Sequence, residues 1–131
     1  MGTLCARLQD VTEAGIYRLN CPLDELRAAA KQAGFALFET DMVGVQGKGE
    51  FLAAVASAIA APKWFGHNYD ALADALGDLS WRPAPGYVLL LRDSGETFGL
   101  SAADHAVVTE IFAGAAGFWK SQGRPFWVLF C

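Results

Sequence analysis

Cysteine is scarce in this chain and poorly spaced for metal or disulfide chemistry. Cys5, Cys21 and Cys131 are an odd, scattered set with no Cys-x-x-Cys pair. Neither a disulfide framework nor a zinc knuckle can be read from them, and a reducing cytoplasm is the expected setting. Long apolar runs are missing too. The most apolar helix-like run, residues 51–61, is mostly alanine, and the opening residues lack the apolar segment of a secretory signal, so no membrane segment is expected. Positive charge is in deficit: 10 Lys and Arg against 14 Asp and Glu give a net charge of -4. That balance removes the electrostatic footprint for nucleic acid or an anionic membrane and favours basic partners. There is no Gly-x-Ser-x-Gly elbow and no cysteine close to a histidine. Gly44, Gly47 and Gly49 have neither the spacing nor the following Lys-Ser or Lys-Thr of a phosphate-cradling loop.

What is present points to one domain with a real core. Hydrophobic residues make up 53% and charged residues 18% of 131, which excludes a disordered chain or a coiled coil. Residues 1–15 carry little pattern and are expected as an extended or mobile lead-in. Residues 16–19 read as a short strand. Asn20 is placed to cap a helix that takes Pro22 early and Asp24 and Glu25 in its first turn. Leu23, Leu26, Ala30 and Ala33 form its apolar stripe, and Gly34 stops it. Residues 35–38 read as a buried strand and 44–49 as a loop. A helix is expected at 50–61, with Phe51, Leu52, Val55 and Ile59 inward and Pro62 closing it.

Beyond a turn-rich connection at 82–86, residues 87–91 form the clearest strand, covered on both faces. Ser101 with Asp104 resembles a capping box that opens a long helix to about residue 120. Its buried face is expected from Val107, Val108, Ile111, Phe112, Ala115 and Phe118, and Gly114 and Gly117 imply close packing or a bend. Gly123 ends that helix, and 126–130 is the final strand. The alternation predicts an α/β fold, a small parallel β-sheet packed with α-helices in a single domain.

Residues 62–81 are the most particular stretch. Trp64 and Phe65 fall in a turn between helices, Gly66 is expected to give that turn its backbone freedom, and Asn68 is placed as the cap of the next helix. At about 100° per residue, Asp70, Asp74 and Asp78 share one face and Leu72, Ala75, Leu76 and Leu79 the opposite one. Aspartates four apart repel by roughly 0.2–0.5 kcal/mol per pair, and only Asp70 lies near enough to the helix start to recover much of it from the dipole. No lysine or arginine occupies 66–80. Spacing alone leaves two readings open, a solvated acidic face or a docking surface for a cationic protein. Trp64, Phe65, Tyr69 and Trp81 are correspondingly core or part of that surface.

The run Pro62-Lys63-Trp64-Phe65-Gly66-His67-Asn68-Tyr69-Asp70-Ala71-Leu72-Ala73-Asp74, followed by Leu76 and Trp81, resembles the signature of the barstar family, intracellular protein inhibitors of barnase-type ribonucleases. The likeness is tightest over 62–76. The order of elements across 35–131 fits a barstar-like domain, and residues 1–34, a strand plus a helix, are expected as an N-terminal extension packed on it. The resemblance implies a protein that is not an enzyme and uses no cofactor. It would insert an acidic helix and the preceding loop into the active site of a basic, extracellular-type ribonuclease.

By motif position the resemblance places Trp64, Asn68, Asp70 and Asp74 on the inhibitor surface. Asp74 would be its central contact, standing where a substrate phosphate would lie. Phe65, Gly66 and His67 in the loop complete the expected partner-binding surface, together with Ala73, Gly77, Asp78 and Trp81. The chain departs from the family pattern at several of these. Ala73 stands where an aromatic is expected, Gly77 and Asp78 where small residues are, and Trp81 comes later than the family tryptophan. Residues 113–123 hold no acid, where acids are expected near the end of the last helix.

Two other readings use the same residues. One is a barstar-like fold that binds a different basic protein. The other is a metal-dependent enzyme site built from His67, Asp70 and Asp74; metal ligands usually converge from several elements, and His105 lies on a distant helix. No metal ligand set, direct nucleic-acid contact or membrane contact is expected.

Overall fold

The computed structural model describes residues 4–63 and 66–131. A 3-10 turn at Cys5–Arg7 precedes β1 (Ile16–Arg18), α1 (Leu23–Ala33), β2 (Ala36–Asp41), α2 (Gly47–Ala58), α3 (Tyr69–Leu76), β3 (Tyr87–Arg92), α4 (Ala102–Ser121) and β4 (Phe126–Phe130). The strands form one sheet in the order β1-β4-β3-β2, every neighbouring pair parallel. This is the expected α/β architecture. The apolar runs of β3 and β4 occupy the sheet centre, where both faces must be covered.

Alternate residues of those strands serve two cores. Leu89, Leu91, Phe126 and Val128 join α2, α3 and α4 through Phe51, Val55, Leu72, Leu76 and Phe112. Val88, Leu90, Trp127 and Leu129 face the other way, beneath Leu26 and Ala30 of α1 and beneath Leu4 and Leu8. Residues 4–8 are therefore part of the packed structure, in contrast to the mobile lead-in expected from their weak pattern. Two side chains that buried carbonyls and amides need are also there. The Trp127 indole donates to the Leu8 carbonyl at 2.8 Å, and the Leu4 amide donates to Asn20 Oδ1 at 2.9 Å. Asn20 is thereby occupied, and Pro22 is the cap residue of α1 instead.

The cysteine expectation is corrected in the same region. Cys5 and Cys21 are joined in a disulfide, and Cys131 is free and exposed. A single bridge of this kind is invisible to spacing rules tuned to clusters, and disulfides persist in oxidising compartments. The step from scattered cysteines to a reducing setting therefore fails at this pair. Among the described residues no helix is long and apolar enough to cross a membrane.

Boundaries shift where side chains satisfy the backbone. The helix expected at 50–61, α2, begins at Gly47, with the Gln46 amide donating to Glu50 Oε1 at 2.9 Å, and it stops at Ala58, beyond which Ala60 turns left-handed at φ 52°. β2 runs to Asp41, further than its apolar segment. Arg27 of α1 forks onto Glu39 there at 2.9 and 3.0 Å, and that bond, with the guanidinium charge, holds the Glu39 carboxyl below its ordinary range.

Candidate functional site

α3 starts because Asn68 is extended and its side-chain oxygen accepts from the Ala71 amide at 2.7 Å, as the sequence predicts. The backbone freedom before the helix resides in His67, with φ 51°, and not in Gly66. Trp64 and Phe65 lie outside the described residues. Leu72, Ala75 and Leu76 are fully buried and fix the helix on the core. Asp70 and Asp74 are thereby turned to solvent, one turn apart, and neither makes a hydrogen bond or ion pair among the described residues. Asp78 falls past the end of α3, where Gly77 caps it, and takes a 3.1 Å hydrogen bond from Ser80. Trp81 is half-buried, its indole donating to the Ile59 carbonyl at 2.8 Å, which pins the chain after α3 to the end of α2.

Two bonds tie α3 to α4, one near each end of α3. The Tyr69 hydroxyl donates to Asp104 Oδ1 at 2.8 Å, and the Trp119 indole donates to the Leu76 carbonyl at 2.7 Å. Burial, then the bond to Asp104 and its charge, push the Tyr69 hydroxyl up to about 12. Lys48 lies over the Tyr69 ring, 4.4 Å from its centre.

Between these ties lies a groove of about 520 Å³. From α3, Asp70, Ala73 and Gly77 line it on successive turns. From α4, Val107, Ile111, Gly114 and Phe118 line it, with Glu110. The sequence reading missed this side of the surface by assigning Val107 and Phe118 to the core. They are 38% and 44% exposed. Gly114 and Gly117 do not mediate close packing among the described residues either, since a Cβ at either would meet nothing within 4 Å there.

A signal for the groove was in the sequence. α4 carries two apolar stripes with the same 4-3-4 spacing: 108, 112, 115 and 119 are buried, while 107, 111, 114 and 118, displaced by one residue or about 100°, face the groove. A helix apolar over so wide an arc has more than one neighbour.

The metal-site reading fails on geometry. The ligand atoms of His67, Asp70 and Asp74 do not come together; among the described residues the set within 4.8 Å is Cys5, Cys21 and Glu25, two of which are the disulfide.

A sequence model described as Barstar (barnase inhibitor) matches residues 35–131, a span that contains α3, the loop before it and α4. No curated protein matches the chain. With most of its length under that match, and its acidic α3 capped by Asn68 and set on a parallel sheet, the chain belongs to the barstar family.

Proposed function

We propose that this protein is an inhibitor of a barnase-type ribonuclease, without catalytic activity or cofactor of its own, that covers the enzyme's cationic active site with α3 and the loop preceding it. The observation that carries the reading is the pair Asp70 and Asp74, unpartnered among the described residues and exposed on a helix whose opposite face is fully buried. Such a pair repels itself in the free protein and gains charge-assisted hydrogen bonds when guanidinium and imidazole groups dock. Asp74 is the central contact and Asp70 the second. Asn68 sets the direction of α3, and the residues before it, Trp64, Phe65, Gly66 and His67, belong to the proposed contact. Ala73, Gly77, Asp78 and Trp81 flank the contact. In this reading residues 35–131 form the barstar-like unit and 1–34 extend it, and the protein acts in the cytoplasm with the Cys5–Cys21 bridge open to reduction there.

The test is cleavage of RNA by a panel of barnase-type ribonucleases with and without the protein. At least one enzyme should be inhibited, and Asp74→Ala should weaken that inhibition by roughly 100-fold or more, the scale of leaving a docked cation unpaired. Thermal stability should stay within about 0.5 kcal/mol, because Asp74 is exposed and makes no bond among the described residues. Association should slow with added salt. Equal inhibition by Asp74→Ala removes Asp74 from the contact, and no inhibition at micromolar protein rejects the reading. The acid-free 113–123 segment and exposed Phe118 favour a second reading, in which the same surface binds a basic protein that is not a nuclease.

A further inference from the structure

We infer that the groove between α3 and α4 receives an apolar side chain of the partner, flanked in the partner by a cationic one. The inference deepens the proposed function and rests on it for the partner's identity. The groove is built from what it leaves empty. Gly114 costs a helix up to about 1 kcal/mol relative to alanine, yet a Cβ there would meet nothing within 4 Å among the described residues. Ala73 and Gly77 face the same space from α3. Four large apolar side chains are exposed among the described residues, and two of them, Val107 and Phe118, line this groove. A space of about 520 Å³ lies in the range that encloses a large side chain or small ligand.

Charge chooses the occupant. Asp70 and Glu110 line the groove, neither bonded among the described residues, and no Lys, Arg or His lines it. Lys48 stands at the margin, on the Tyr69 ring. An acidic or purely apolar occupant would leave the two carboxylates without a counter-charge, whereas a phenyl or branched aliphatic group beside an Arg or Lys answers both surfaces. The groove is also preformed, because the Tyr69–Asp104 and Trp119–Leu76 bonds fix α3 against α4. Docking therefore costs little reordering.

Ala73→Trp tests the inference by filling the groove from within. Against a ribonuclease that the wild type inhibits, it should weaken inhibition by about tenfold or more, with an unchanged thermal midpoint. The second measurement needs no nuclease. Acetyl-Phe-Arg-amide added to the ¹⁵N-labelled full chain should shift the amides of Ala73, Gly77, Gly114 and Phe118, and acetyl-Phe-Glu-amide should not. Those shifts should vanish in Ala73→Trp. Inhibition that depends on Asp74 but is indifferent to Ala73→Trp overturns the groove and leaves the ribonuclease reading standing. Peptide shifts at the groove, with no nuclease inhibited, support the groove and overturn that reading. An absence of peptide shifts there, or equal shifts with the Glu peptide, overturns the groove.

Discussion

The Trp119 indole N–H donates to the Leu76 carbonyl oxygen at 2.7 Å within the buried core. Leu76 closes α3, so its carbonyl belongs to the last turn, where no intrahelical amide is available. Trp119→Phe keeps an aromatic ring near Tyr87, whose centroid lies 5.0 Å from that of Trp119, but strands that carbonyl. The expected cost is about 1–3 kcal/mol, read as a lower urea midpoint with unchanged slope. An unchanged midpoint would show that water replaces the indole.

Removal of residues 1–34 should unfold the remainder. Val88, Leu90, Trp127 and Leu129 are completely buried, and the layer above them comes from α1 and from Leu4 and Leu8. At about 1.5–3 kcal/mol for each large side chain uncovered, the loss rivals the whole stability of a typical domain, about 5–15 kcal/mol. The 35–131 fragment is expected to aggregate or bind a hydrophobic dye. A monomeric, cooperatively melting fragment would show that the family-matched segment is sufficient alone.

The Cys5–Cys21 bridge closes a loop that contains β1, and a loop of that length is worth about 3 kcal/mol in the chain-entropy account. Reduction, or a Cys5→Ser/Cys21→Ser double variant, should lower the thermal midpoint by several degrees without unfolding the protein, because the burial of Leu4 and Leu8 and the Trp127–Leu8 bond remain. Inhibition should survive in the reduced form, since α3 lies on the opposite face of the sheet. Melting curves with and without dithiothreitol decide it. Complete loss of structure on reduction would make the bridge obligatory for folding.

The sheet and its helices were legible because their signals are local: the apolar runs at 87–91 and 126–130, the Asn68 and Ser101 caps, and the stop at Gly34. The N-terminal segment was not, because Leu8 is anchored by Trp127, over a hundred residues away, and Leu4 by Asn20, which its own position marks as a helix cap. Asp70 and Asp74 were legible from spacing, since a helix puts residues four apart on one face. The other wall of the groove was hidden because periodicity says that 107, 111, 114 and 118 share a stripe, but not whether the stripe meets core or open space. That choice is made by what α3 offers opposite, and Ala73 and Gly77 are too small to fill it.

Tyr69 should make the protein sensitive to alkali. Its hydroxyl is held neutral by burial and by the bond to the charged Asp104, which together raise it to about 12 from an ordinary 10.0. The folded state therefore favours the protonated phenol more than the unfolded state does. The stability this supplies is complete below pH 10 and is lost as the pH rises from there through about 12. Tyr69→Phe should cost about 1.5–3 kcal/mol at neutral pH, the scale of a hydrogen bond to a charged group, and should flatten the decline of the melting midpoint between pH 10 and 12. The difference in ultraviolet absorbance between the two proteins isolates the one phenolate involved. Tyr69 is also the first residue of α3, immediately before Asp70, so its ionisation next to the Asp104 carboxylate loosens the end of the helix that presents the acidic pair. A variant that melts in parallel with the wild type across that window would show that the tie to α4 contributes nothing to holding α3 in place.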